Sequence, residues 1–157
     1  MNDLPFKTLP VPNQWDRRGL PAWTYHSPEL FEMEKHNFFL NHWQLAGHIC
    51  DIPAPGDWLS FDMLGERGLV MRGQDGVVRA FHNLCRHRGS RVVAETQGRC
   101  KSAVICPFHG WAYNLDGTLR GAAQPASLPE LDPVKYGLKP IEMDIWNGFV
   151  FVRFLPG

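Results

Sequence analysis

The chain has 157 residues, with 16 Lys+Arg against 16 Asp+Glu and a formal net charge of zero when its seven histidines are neutral. That length allows one domain with a real core, while the balanced charge argues against a nucleic-acid partner, whose phosphates demand an excess of cations. No run of about 18 apolar residues exists, which excludes a membrane-spanning helix. The N-terminus lacks the charged-then-apolar layout of a secretion signal. A cytoplasmic, reducing setting is therefore expected, in which the four cysteines point to metal more than to disulfides.

Residues 1–26 carry Pro5, Pro10, Pro12 and Pro21 without a sustained period, and read as an extended arm pinned by Trp15 and Trp23. "SPELFEMEKHNFFLNHW" then starts a helix, with Ser27 as cap, Pro28 in the first turn and Glu29 near the positive end of the dipole. Phe31 and Phe38 fall seven apart on one face, and the helix is predicted from about Pro28 to Asn41. From residue 42 the period changes to short β-like runs: "WQLAGHI", "DWLSFDML", "RGLVMRG", "VVRAFHN", "SAVIC", "AYNLD" and "GFVFVRF". Turn signals separate them at Pro55-Gly56, Asp75-Gly76 and Asp116-Gly117, and Asp-Gly between apolar runs favours a hairpin. The stretch from Arg120 to Pro140 holds four prolines and reads as a long loop before the last strand. The fold class expected is mainly β, a small antiparallel sandwich or barrel behind an N-terminal helix.

Chemistry concentrates in "CRHRGSRVVAETQGRCKSAVICPFHGW". Cys85-x-His87 and Cys106-x-x-His109 stand eighteen residues apart (88–105), so each of two loops offers one sulfur and one nitrogen. Gly89 and Gly110 follow the histidines closely, where the backbone must turn sharply or approach a cofactor, and Pro107 stiffens the second loop. Tetrahedral zinc with two cysteines and two histidines is chemically possible. The mixed pairs match better a two-iron cluster in which two cysteines hold one iron and two histidines the other. Neutral imidazoles in place of two thiolates raise the potential of such centres to roughly −150 to +300 mV.

"CRHRGS…CPFHGWAYNLDG" resembles the Rieske domain of the α subunits of Rieske non-haem iron oxygenases, the ring-hydroxylating family and its demethylating relatives. "SPELFEMEKHNFFLNHWQLAGH" is similar to their N-terminal helix and first strand, and "NGFVFVRF" to their closing strand, so that the likeness covers about residues 15–155. The resemblance implies a Rieske-type antiparallel β sandwich or barrel with an N-terminal helix and two cluster-binding hairpin loops. It divides the chain into an arm and helix, 1–41, and a Rieske domain, 42–157, with the catalytic iron domain absent. It implies a [2Fe–2S] cluster on Cys85, His87, Cys106 and His109, surrounded by Arg86, Arg88, Gly110, Trp111 and Tyr113. The mononuclear Fe(II) belongs to the missing catalytic domain.

Respiratory Rieske proteins resemble C-x-H-x-x-C and C-P-C-H, with an extra cysteine in each loop; Ser90 and Phe108 stand in those places here, so no loop-locking disulfide forms. Trp111 stands where they carry a serine, which implies a potential toward the low end, since hydrogen bonds to cluster sulfur favour the reduced state. Tyr113, by the resemblance, donates to a ligand sulfur, or else packs the hairpin; Arg86 and Arg88 either favour the extra electron or lie exposed or carboxylate-paired. Trp111 reads as a packing wall behind the second loop. Glu32, His36 and His42 read as a solvated helix face, His48 and His82 as structural, and Cys50 and Cys100 as ordinary thiols.

The function implied is electron transfer, from a ferredoxin or flavin reductase to the mononuclear iron of the chain's own or a neighbouring catalytic domain. The family's trimers imply a homo-oligomer for the full-length protein. A stand-alone Rieske-type ferredoxin and a zinc-stabilised binding module remain as alternatives, and aromatic hydroxylation is not separable from amine demethylation.

Overall fold

The computed structural model describes residues 19–122 and 131–155. A 3₁₀ turn at Ala22–Tyr25 leads to helix α1, Pro28–Asn37, which starts where the sequence places it: the Ser27 hydroxyl accepts the Leu30 N–H at 3.2 Å and Pro28 opens the first turn. The helix stops earlier than predicted. Phe38 leaves helical geometry, and a 3₁₀ turn, Phe39–Asn41, swings Leu40 into the core. No side chain of α1 is buried; Phe31 and Phe38, expected to form its packing face, are 45% and 54% exposed. Trp23 is likewise exposed and does not act as the expected pin, and Trp15 lies outside the described residues.

Ten strands follow: β1 Gln44–His48, β2 Asp57–Met63, β3 Glu66–Arg72, β4 Val78–His82, β5 Gln97–Arg99, β6 Ala103–Ile105, β7 Ala112–Asn114, β8 Leu119–Gly121, β9 Pro140–Trp146 and β10 Phe149–Arg153. A seven-stranded antiparallel sheet runs β1-β10-β9-β4-β3-β2-β5, and a three-stranded one β6-β7-β8. The mainly β, antiparallel class expected from the sequence is what the chain adopts. The predicted seven runs are all strands, and β8 completes the hairpin that Asp116-Gly117 signals; β5 and β9 were not anticipated, and β9 opens at Pro140, which was read as the end of a loop. Proline is tolerated as the first residue of a strand.

The central strands serve two cores. In β3, Leu69 and Met71 face one cluster of buried side chains and Val70 the other; in β2 Trp58 and Leu59 divide likewise, as do Phe81 and Ala80 in β4. A strand buried on both faces reads as a continuous apolar run, which is why "GLVM" shows no alternation. One core, with Ile52, Ile141, Val150 and Val152, fills the curl of the large sheet; the other lies between β2–β4 and the small sheet. The second core contains Cys85, Cys106, Trp111 and Tyr113.

Candidate metal centre

Loop 1 leaves β4 and returns in β5, three strands further along the sheet, so it is a crossover and not the hairpin tip that was expected; loop 2 is the turn of the β6–β7 hairpin. Both adopt one hydrogen-bond plan. Gly89 N–H donates to Cys85 O (2.8 Å) and Cys85 N–H to Ser90 O (2.7 Å); Gly110 N–H donates to Cys106 O (3.0 Å) and Cys106 N–H to Trp111 O (2.8 Å). The fifth residue in each case is a glycine at positive φ, +70° for Gly89 and +68° for Gly110, a conformation that costs other residues about 1–2 kcal/mol. Within that common frame the histidine stands third in loop 1 and fourth in loop 2.

The loops meet. The rings of His87 and His109 lie 4.7 Å apart, edge to face at 74°, and Cys85 and Cys106 are both buried. Trp111, buried, lies parallel to His87 at 5.1 Å and 8°. It is a wall as expected, but for the histidine of the opposite loop. His109 is exposed, with Phe108 packed 4.0 Å from it. His87 Nδ1 is buried and, among the described residues, has no hydrogen-bond partner. A buried nitrogen lone pair or N–H without a partner costs about 1–3 kcal/mol, and a metal would satisfy it.

Hydroxyl groups reach both sulfurs. Tyr113, fully buried in β7, lies 3.2 Å from Cys85 Sγ, while its oxygen accepts the Arg86 N–H at 2.9 Å; with that acceptance made, its own proton goes to sulfur. Ser90 Oγ lies 3.2 Å from Cys106 Sγ. Burial pushes the Cys85 thiol up; at Cys106 burial acts the same way, but Ser90, the Phe108 N–H, the Cys85 thiol and the His109 N–H together overcome it and hold that thiol below its ordinary value. Burial, then the charges of His109 and Arg88, depresses His87, favouring the neutral imidazole that ligation requires. Burial and the adjacent Cys85 drive Tyr113 upward, so the phenol stays protonated and able to donate.

Of the other residues singled out, Arg86 and Arg88 are exposed and make no carboxylate pair among the described residues. Glu32 and His36 pair with each other at 3.6 Å on the solvated face of α1, and His42 stacks on Phe38. His48 caps a 3₁₀ turn by accepting the Cys50 N–H, and His82 sits 3.6 Å from Glu66. Cys50 is exposed, and the Cys100 thiol donates to Gly56 O, so neither joins the centre. Asn83 was missed. Fully buried, it accepts the Val92 and Val93 N–H groups (2.9 and 3.1 Å) and donates to Val93 O (2.9 Å), closing the base of loop 1. Its only trace in the sequence is its place just before "LC".

Among the described residues no three Cys, His, Asp or Glu side chains converge as the ligand set of a single ion. A two-iron cluster asks for only two protein ligands per metal, and two buried cysteines on the same two loops as two imidazoles in ring contact, one with an orphaned nitrogen, fit it. The sequence model of the Rieske [2Fe–2S] domain matches residues 42–132. The chain is 40% identical over 134 residues to the glycine betaine monooxygenase oxygenase subunit of Pseudomonas aeruginosa, covering 85% of this chain and 31% of that protein. Its fold superposes on the apo crystal structure of a quaternary ammonium Rieske monooxygenase with a TM-score of 0.80 and 31% identity, over 87% of this chain and 40% of that one. Naphthalene 1,2-dioxygenase from Rhodococcus sp. gives a TM-score of 0.80 at 29% identity, over 87% and 31%. The chain spans about a third of the length of the curated relatives it matches. By its loops, its sheet order and these likenesses, the chain belongs to the Rieske [2Fe–2S] domain family, of the kind found in oxygenase subunits.

Proposed function

We propose that Cys85 and Cys106 hold one iron and His87 and His109 the other, and that residues 42–157 are the electron-transfer domain of an oxygenase, with 1–41 an appended arm and helix. The observation that carries this reading is the orphaned His87 Nδ1, buried on a ring that packs between His109 and Trp111. When bound, such a cluster accepts and releases one electron at a time. The protein's part is to shape that exchange. Trp111 fixes the plane of His87 and keeps water from it; Tyr113 donates to Cys85; Gly110 lets loop 2 turn close to the metal; Arg86 and Arg88 place positive charge beside a site that gains an electron. His109, exposed at the tip, is the side chain through which the electron leaves.

The electron comes from a ferredoxin or flavin reductase and goes to a mononuclear Fe(II) in the catalytic domain of the same or a neighbouring subunit of a homo-oligomer, in a cytoplasmic setting. No described helix is long and apolar enough to cross a membrane. The substrate class is a quaternary ammonium compound, supported by identities of 40%, 34% and 36% to a glycine betaine, a carnitine and a choline monooxygenase. Iron, acid-labile sulfide and visible-absorption analysis of the 157-residue chain test the centre. Two irons and two sulfides per chain, taking up one electron, are expected; a colourless zinc protein overturns the assignment. The chain alone forms no product. Joined to its catalytic domain and reductase, it is expected to release formaldehyde from glycine betaine, and dihydroxylation of naphthalene instead would overturn the substrate class.

A further inference from the structure

Ser90 ends loop 1, and its hydroxyl lies 3.2 Å from Cys106 Sγ of loop 2. The contact mirrors that of Tyr113, which comes from beyond loop 2 and reaches Cys85 Sγ of loop 1 at the same 3.2 Å. Each sulfur thus faces one hydroxyl supplied from across the centre. The Ser90 backbone is anchored, because its carbonyl takes the Cys85 N–H at 2.7 Å, so the side chain is aimed by the loop's own closure. Either atom of an O···S contact can donate between free thiol and alcohol. A cysteine bound to metal has lost its proton, so the serine must then be the donor.

We propose that Ser90 is a positioning residue of the centre, whose hydroxyl donates to the Cys106 sulfur, strengthens the hold of the bound cluster on its electron and ties the two loops together. The inference rests on Cys106 being a ligand, as proposed above. Reduction adds negative charge that spreads onto the ligand sulfurs, and a hydrogen bond to an anionic acceptor is the stronger for it. The bond therefore stabilises the reduced state more than the oxidised one. Trp111 carries no hydroxyl, which alone points to a low potential; Ser90 supplies from loop 1 part of what that position lacks.

Redox titration of the 157-residue chain, followed by visible absorption and EPR, tests this on Ser90→Ala, Ser90→Thr and Ser90→Cys. With two irons and two sulfides retained, Ser90→Ala is expected to bind its electron roughly tenfold more weakly, a downward shift of about 59 mV for a one-electron couple. Ser90→Thr, which keeps the hydroxyl, restores most of the wild-type potential. An unchanged potential in an intact Ser90→Ala cluster overturns the inference and leaves the cluster assignment standing. Absence of iron and sulfide from the wild-type chain overturns the assignment itself. Should the alanine variant lose its cluster, Ser90→Cys, a weaker donor, is expected to shift downward by less; a potential at or above wild type there overturns the inference.

Discussion

From Cys85 and from Cys106 the backbone takes the same path, through the same two hydrogen bonds to a glycine near φ +70°, yet the two loops are supported differently. Loop 2 rides on a hairpin whose strands pair directly, Ile105 opposite Ala112. Loop 1 spans strands that never touch, and depends on the Asn83 amide at its base and on three residues of β5 at its end. The local frame is thus independent of what carries it. The offset of one residue in the histidine is what distinguishes the two outcomes: at the third position the imidazole goes beneath Trp111, and at the fourth it reaches solvent.

The largest expected effect tests whether the loops are equal partners. Cys85→Ser and Cys106→Ser should each abolish bound iron and labile sulfide altogether, since a cluster held from both sides cannot survive on one; a chain that keeps its absorption after either change refutes the sharing. Next comes the asymmetry in support. Asn83→Ala strands the Val92 and Val93 N–H groups in the core and should lower stability by about 2–4 kcal/mol, read as a shift in the denaturant midpoint. A smaller loss, about 1 kcal/mol, is expected for Gly89→Ala, where an added Cβ meets nothing within 4 Å and only the backbone conformation is penalised.

The smallest effect depends on pH. Asp57, buried at the start of β2, is held below the ordinary carboxylate value first by its hydrogen bonds from Arg99 of β5, against the opposing pull of burial. A carboxyl depressed in the folded state contributes stability that is complete above its unfolded pKa of about 3.9 and is lost as pH falls through the folded value. Unfolding free energies at pH 7, 5 and 3 should therefore fall below about pH 4, and Arg99→Met should flatten that fall. A profile unchanged by Arg99→Met would detach the return of loop 1 from this ion pair.

The ligand pattern and most strands were legible because they are local. Mixed Cys/His spacing, Asp-Gly turns and apolar runs all sit within a few residues of one another. "PIEMDIW" was legible too, alternating Ile141, Met143 and Ile145 with acids, but the proline-rich loop read up to Pro140 drew attention from it and residues 141–146 were left unassigned. β5 is three residues long and takes its conformation from the strand beside it, which no short window encodes. Asn83, the Ser90 contact and the reach of Trp111 to the opposite loop link residues brought together only by the crossover. The exposed face of α1 escaped because seven-residue spacing signals a stripe, not that something covers it.

Strands β2, β3 and β4 form a party wall, with alternate side chains belonging to rooms on either side. Such a wall cannot be taken down from one side. Loss of Val70 or Leu59, which face away from the metal loops, withdraws the backbone on which Leu69 and Trp58 stand. The protein has no seam between the half that carries the chemistry and the half that only supports it. Heat or denaturant should accordingly melt both in a single transition, and a lesion far from the histidines should reach them through the sheet.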